Sequence, residues 1–335
     1  MKYLITIIVA IILIVGFLVW QGVYYPLSPS SNETKIFLVK RGHDAKEIAD
    51  GLERAGLIRY SFPFRVYVSV TKQSNNLKAG EYELSSSMTV FEIVNKIVSG
   101  DMVKKRITII EGWTLNDIGK YFKEKKLAIF EQLIELDNKE KNDNYFKKDF
   151  AFLSDKPEGL GLEGYLFPDT YEFSPEDRLE DIIRIMLVNF SSKLTSELKA
   201  DILSQNKTIF EIITIASLVE KEVKTIEDKK MVSGILWNRL EADMLLQVDA
   251  TITYITGKNS TEISKEELEL DSFYNTYKYK GLPLGPICDP GMDSIEAAVY
   301  PTKNDYLFYL STPEGETIFS KTLKEHNKAI SKYLK

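Results

Sequence analysis

The chain has one cysteine and two histidines among its 335 residues. With Cys288 alone, no intramolecular disulfide can form, so a domain outside the cytoplasm must be held by its core. With only His43 and His326, and with neither an HExxH pair nor a cysteine cluster, a His-rich metal centre and a Ser-His-Asp triad are both disfavoured. No metal and no cofactor is expected. A basic surplus is missing too: 43 Lys and Arg face 49 Asp and Glu, a net charge of -6, which argues against nucleic acid as a partner. Carboxylate chemistry is what remains.

One long apolar run is present. Tyr3 to Trp20 is uncharged, and its 18 residues are just enough to cross a bilayer. Lys2 is the only flanking charge and favours a cytoplasmic N-terminus. A cleaved signal peptide is the competing reading, but no small-x-small site follows the run. The expectation is a retained single-pass anchor in the cytoplasmic membrane, with everything after Trp20 outside.

Past a Pro/Ser-rich spacer (Pro26 to Ser31), Lys35 to Leu52 nearly repeats as Lys105 to Phe122, with Phe37, Val39, Gly42 and Ile48 matching Ile107, Ile109, Gly112 and Ile118. A partial third copy, Ser87 to Ile97, keeps Thr89 and Ile93 in register. Each full copy predicts an alternating strand, a turn at the glycine and a helix. With a strand over Leu77 to Leu84, the region resembles the LysM carbohydrate-binding module; a mere spacer is the other reading. The resulting layout is α+β: anchor and flank 1–24, linker 25–34, LysM-like βα module 35–103, and a larger mixed α+β catalytic domain 104–335.

Thr208 to Val223 is the stretch that points to chemistry. Thr208 and Glu211 form a capping-box pattern. At about 100° per residue, Ile209, Ile212, Ile213, Ala216, Val219 and Val223 share an arc, and Glu220 falls inside it, whereas Glu211, Lys221 and Glu222 fall outside. A carboxyl on a core-facing arc loses hydration, which favours its protonated form and suits a general acid. The plainer alternative is a Glu220 at the rim of the contact, neutralised by a Lys or Arg.

The segment Tyr121 to Lys156 carries the charged run Asp137 to Asp149 and predicts helices with a solvated face. Glu158 to Phe173 mixes glycines, aromatics and acids, either as flat faces for stacking sugars or as a loop folded into its own core. Glu163 and Asp169 are its candidate substrate-contacting or supporting acids. Ile226 to Leu240 predicts a helix. Leu245 to Tyr254, taken as a strand, would put Gln247, Asp249 and Thr251 on one face. Asn275 to Gly291 is dense in Gly and Pro and predicts a rigid loop, and a strand (Tyr306 to Leu310) and a helix close the chain. Asn-x-Ser/Thr triplets at Asn32, Asn189, Asn206 and Asn259 carry no weight, since the pattern is common by chance.

Five blocks in order then carry a family resemblance: Leu162 to Phe173, Ile215 to Val223, Leu246 to Tyr254, Asn275 to Ile287, and Glu325 to Asn327. In them the chain resembles the YceG-like family, the MltG-type endolytic murein transglycosylases of bacteria. It departs from that pattern at Leu284, Asp289 and Thr317. The resemblance implies that Glu220, the first Glu of the VEKE block, is the general acid/base that cuts the MurNAc-GlcNAc bond and leaves 1,6-anhydro ends. It implies that Gln247, Asp249, Asn275 and Tyr277 orient the sugar. It further implies peptidoglycan glycan strands as substrate and peptidoglycan synthases as partners. A non-catalytic glycan-binding scaffold, and a two-carboxylate muramidase pairing Glu220 with Glu163 or Asp169, are the competing functions.

Overall fold

The computed structural model describes residues 2–127, 130–174, 177–258 and 263–334, so the Asn259 triplet lies outside the described residues. The chain divides into two compact units: Met1–Arg106 with Glu172–Asp177, and Ile107–Tyr171 with Arg178–Lys335.

The first unit begins with α1 (Lys2–Tyr24), followed by β1 (Thr34–Val39), α2 (Ala45–Arg54), α3 (Ser61–Val70), β2 (Gly80–Ser85) and α4 (Val90–Ser99). Residues Tyr3–Tyr24 of α1 are long and apolar enough to cross a membrane, with a mean hydropathy of 2.9. Its last turns also pack against the rest of this unit. Val23 is buried in the core of this unit with Ile48, Leu52, Phe64, Tyr82 and Ile93, and Val19 packs against that core. The Ser28 N–H donates to the Ser86 carbonyl at 2.9 Å, so the segment after the helix is held against the unit as well. β1 and β2 pair antiparallel with Phe37 opposite Tyr82; the second strand starts three residues later than the alternation predicts. Asp44 and Thr89 close capping boxes with Glu47 and Glu92, which fix where α2 and α4 begin.

The division between the units runs through β3 (Lys105–Thr108) and β4 (Thr170–Phe173), which pair with each other. The second unit continues with α5 (Leu115–Glu124), α6 (Phe130–Asp143), α7 (Leu179–Lys193), α8 (Ser196–Ser204), α9 (Ile209–Glu222), α10 (Ile226–Glu241), α11 (Asp249–Thr256), α12 (Lys265–Leu268), α13 (Met292–Val299), the hairpin β5 (Phe308–Ser311) and β6 (Thr317–Ser320), and α14 (Leu323–Tyr333). Both full copies of the near-repeat fold alike: a strand, a left-handed glycine (Gly42 at φ 85°, Gly112 at φ 77°) and a capped helix. Only glycine adopts that φ without a steric penalty.

At the centre of the second unit lies α9. Every residue from Ile212 to Val219 is buried, Thr214 and Ser217 included, because α8, α10, α11 and α13 surround it. The single apolar arc underestimates this enclosure: a helix with neighbours on all sides buries its polar face too, here by turning the Thr214 and Ser217 hydroxyls back onto its own carbonyls. Its start is doubly fixed. Thr208 and Glu211 cap each other, and Asp155 accepts the Ile209 N–H at 2.6 Å.

Three expectations are corrected. Leu245 to Tyr254 is no strand: Gln247 sits at φ 50° and Asp249 opens α11, so Gln247, Asp249 and Thr251 share no strand face. The run Asp137 to Asp149 is not wholly solvated either. Asp137 accepts the Leu162 N–H, while Glu140 and Lys156 form an ion pair at 3.1 Å whose side chains are 0% and 1% exposed. The aromatics of Glu158 to Phe173 form core: Tyr165, Phe167, Tyr171 and Phe173 are all buried, and Tyr165 packs edge-on to Phe190. They offer no stacking face for a sugar.

Candidate functional site

Helix α9 ends at Glu222, and its last turn carries Glu220 toward the Asp289 to Ser294 segment. The loop before that segment is seated on the same helix, since the Ile287 N–H donates to Ser217 Oγ at 3.0 Å. Glu220 Oε2 accepts the Ser294 hydroxyl at 2.6 Å and the Gly291 N–H at 3.0 Å, and Lys229 Nζ of α10 lies 3.2 Å from both carboxylate oxygens. The side chains of Lys229 and Glu220 are 5% and 9% exposed. Periodicity puts Glu220 inside the core-facing arc as an unpaired acid; its pairing with Lys229 is instead what the plainer alternative expected. All of its partners are donors, which matches a carboxylate in the resting site.

Beyond β3, the turn Glu111–Gly112–Trp113 closes over this end of α9. Gly112 donates to the Asp289 carbonyl at 2.9 Å, Asp289 donates back to the Trp113 carbonyl at 2.8 Å, and Lys221 Nζ donates to the Gly112 carbonyl at 3.0 Å. On the same side lies a cleft of about 580 Å³, lined by Thr114, Lys120, Glu163, Lys221, Tyr254 and Tyr274 among others. Glu163 holds the Leu115 N–H at 3.0 Å and the Tyr254 hydroxyl at 3.2 Å. Burial is the main reason its carboxyl is pushed up to about 8. Asp289 is buried as well, and its carboxyl is raised by desolvation and by the Glu163 charge; its Oδ1 accepts the Leu166 N–H at 2.9 Å. It ties two loops together inside the core.

The remaining sequence candidates divide. Asp169 is bound by Asn189 at 3.0 Å and Lys193 at 3.5 Å, and these donors hold its carboxyl below the usual range against the desolvation that raises it. Asn275 is buried, and its amide spans the Leu268 and Leu270 carbonyls at 2.9 Å each, so it staples a turn instead of reaching a ligand. Tyr277 donates to Asp249, and Gln247 is exposed with its N–H on the Thr276 carbonyl. None of these five makes a hydrogen bond or ion pair with Glu220 among the described residues.

Lys229, Ser294, Gly291 and Glu111 escape the sequence reading. Lys229 leaves a trace: on α10 it aligns with Val232, Ser233 and Leu236, a lysine on an apolar face. Glu222, outside the predicted arc, is nonetheless enclosed; it accepts the Tyr309 hydroxyl at 2.9 Å, and burial pushes its carboxyl up to about 7.

The chain was compared with known proteins. The endolytic murein transglycosylase of Bacillus subtilis (strain 168) is 35% identical over 331 residues, covering 96% of this chain and 91% of that protein. The endolytic murein transglycosylase of Streptococcus pneumoniae serotype 2 is 32% identical over 350 residues; the match takes in 95% of this chain and 62% of its longer relative. A crystal structure of a yceG-like protein from Listeria monocytogenes matches with a TM-score of 0.60 at 34% identity, covering 89% of this chain and 99% of that one. The model of the YceG-like family matches residues 37–332, and this chain belongs to the YceG-like family.

Proposed function

We propose that this protein is a membrane-anchored endolytic lytic transglycosylase of peptidoglycan, with Glu220 as the general acid/base. The observation that carries the reading is the Glu220 carboxyl at the end of a helix buried from Ile212 to Val219, oriented by Lys229, Ser294 and the Gly291 N–H beside an open cleft. Its kinship with proteins named endolytic murein transglycosylases supports the substrate class. In the reaction, Glu220 carries a proton into the site and gives it to the glycosidic oxygen of the MurNAc-GlcNAc bond as C1–O breaks. The C6 hydroxyl of the same MurNAc attacks C1, its proton passes to a carboxylate, and a 1,6-anhydro ring closes. Because that nucleophile is intramolecular, its effective concentration is high and no activated water is needed. Substrate-side positioning falls to the cleft lining and to Tyr277, Asp249 and Gln247.

The same reading places α1 across the cytoplasmic membrane with the N-terminus inside, takes the module over 35–103 as a LysM-like glycan-holding element, and makes wall synthases the natural partners. A two-carboxylate muramidase built from Glu163 or Asp169 is less well supported, since both carboxyls are engaged elsewhere. Digestion of purified glycan strands, with products weighed by mass spectrometry, tests the proposal. Anhydro ends from the wild type and none from Glu220→Gln are expected; ends heavier by one water would make the enzyme a hydrolase, and no product would make it a scaffold.

A further inference from the structure

A site whose only acid is surrounded by donors needs something that makes a proton welcome there. The three hydrogen bonds that lock the Glu111–Trp113 turn also fix where Glu111 goes. Its carboxylate rests on the Cα of Gly291, in the space a side chain at 291 would occupy. The N–H of that same glycine binds Glu220. Thus two carboxyls flank one residue, and the residue has to be glycine for Glu111 to come so close. Glu111 is exposed and makes no hydrogen bond or ion pair among the described residues, whereas Glu220 is almost enclosed.

We propose that Glu111 and Glu220 work as two carboxyls held on either side of Gly291, with Glu111 as the positioning residue whose charge keeps Glu220 able to carry the catalytic proton. The proposal rests on Glu220 being the acid/base of the reaction. Two carboxylates in one site disfavour double ionisation, and this opposes the pull of Lys229, Ser294 and the Gly291 N–H toward a charged Glu220. The charged groups facing Glu111 are Glu220 on α9, Lys229 on α10 and Asp293 on α13, while Lys221 holds the Gly112 carbonyl beside it. Desolvation against Gly291 and the Glu220 charge raise the Glu111 carboxyl, Lys229 counteracts them, and Asp293 adds to them. Protons balance over the cycle: Glu220 gives one to the leaving oxygen as C1–O breaks, and regains one from the C6 hydroxyl as C1–O6 forms.

The test is the pH profile of kcat and kcat/KM for the full chain on purified glycan strands, comparing wild type with Glu111→Gln, Glu111→Asp and Glu220→Gln. Removing the Glu111 charge lets the site lose its proton at lower pH. The alkaline limb of Glu111→Gln should therefore move down by about one pH unit, leaving the variant roughly tenfold slower above neutrality, with activity recovered in more acidic buffer and KM little changed. Glu111→Asp, which keeps the charge, should fall between the two. A Glu111→Gln profile that superimposes on the wild type overturns the pair. So does a loss by one constant factor at every pH, which is what a merely structural residue gives. Glu220→Gln separates the two claims: if it stays active, the reading of Glu220 fails, and if it is dead while the Glu111→Gln profile is unmoved, only the pairing fails.

Discussion

Replacing Glu220 by Gln removes one charge from a nearly buried ion pair and leaves Lys229 without its counter-ion. Sequence alone makes Glu220 an unpaired acid whose removal should hold or raise stability; the Lys229 contact reverses that sign. Glu220→Gln should lower stability by about 3 kcal/mol, as breaking one side of a buried pair does, and adding Lys229→Met should restore much of that loss without restoring activity. Denaturant melts of the single and double variants measure both effects. Glu163 gives a pH-dependent case. Its carboxyl is raised from 4.5 to about 8, so the folded protein binds a proton more tightly than the unfolded chain. The resulting stability is fully present below about pH 4.5 and is lost as pH rises through about 8. Glu163→Gln keeps an acceptor for the Leu115 N–H, can donate its amide N–H to the Tyr254 hydroxyl oxygen, and has no charge to bury. It should therefore melt higher than wild type at alkaline pH and close to it at acidic pH, which thermal scans across that range would reveal.

Among the elements, α6 and the loop before β4 are joined by buried charges rather than by apolar contact alone. Glu140 pairs with Lys156 out of solvent, and Lys156 also donates to the Leu160 carbonyl. Lys156→Met should cost about 3 to 5 kcal/mol, because Glu140 is then stranded; chemical denaturation measures the loss. Gly164 is a second fixed point. At φ 87° it already sits where other residues are strained, and a Cβ there would run into Pro286 and Ile213. Gly164→Ala should thus destabilise more than Gly42→Ala, whose φ is similar but whose surroundings are open. The same elements account for what the sequence reading missed. Asp137, Glu140 and Lys156 look like ordinary solvated charges because their partners are 16 to 25 residues away or at i,i+4 on a helix, and nothing local distinguishes a paired charge from a free one.

For the whole molecule, the expectation concerns α1. Its uncharged face is exposed along Tyr3 to Trp20, yet Val19 and Val23 enter the core of the first unit. Cleavage near Ser30 would strip that core of a buried side chain. The mature protein in a membrane fraction should therefore keep its N-terminus, and N-terminal sequencing that begins near Ser30 would refute the anchor. Protease added from outside should reach the residues after Tyr24 and spare those before Tyr3.

Local signals were enough for much of the architecture. Capping pairs such as Thr208 with Glu211 and Asp44 with Glu47 mark helix starts because their bonds close within four residues, and Gly42 and Gly112 mark turns because φ near 80° is a property of one residue. The period of α9 likewise carries Glu220 to the same side as Ile213 and Ala216, and the ordered blocks carry the family. What sequence could not supply is everything that depends on separate segments meeting. Leu245 to Tyr254 alternates like a strand but coils into α11, because Gln247 and Val248 are held by Thr276, nearly thirty residues on. Whether Glu220 is free or paired and whether Glu111 stands beside it are decided by contacts across α9, α10 and the Asp289 to Ser294 segment, and the Leu268 and Leu270 carbonyls decide that Asn275 staples a turn. Hydration lost and partners gained on packing set the state of a charged group, and only the tertiary structure specifies them.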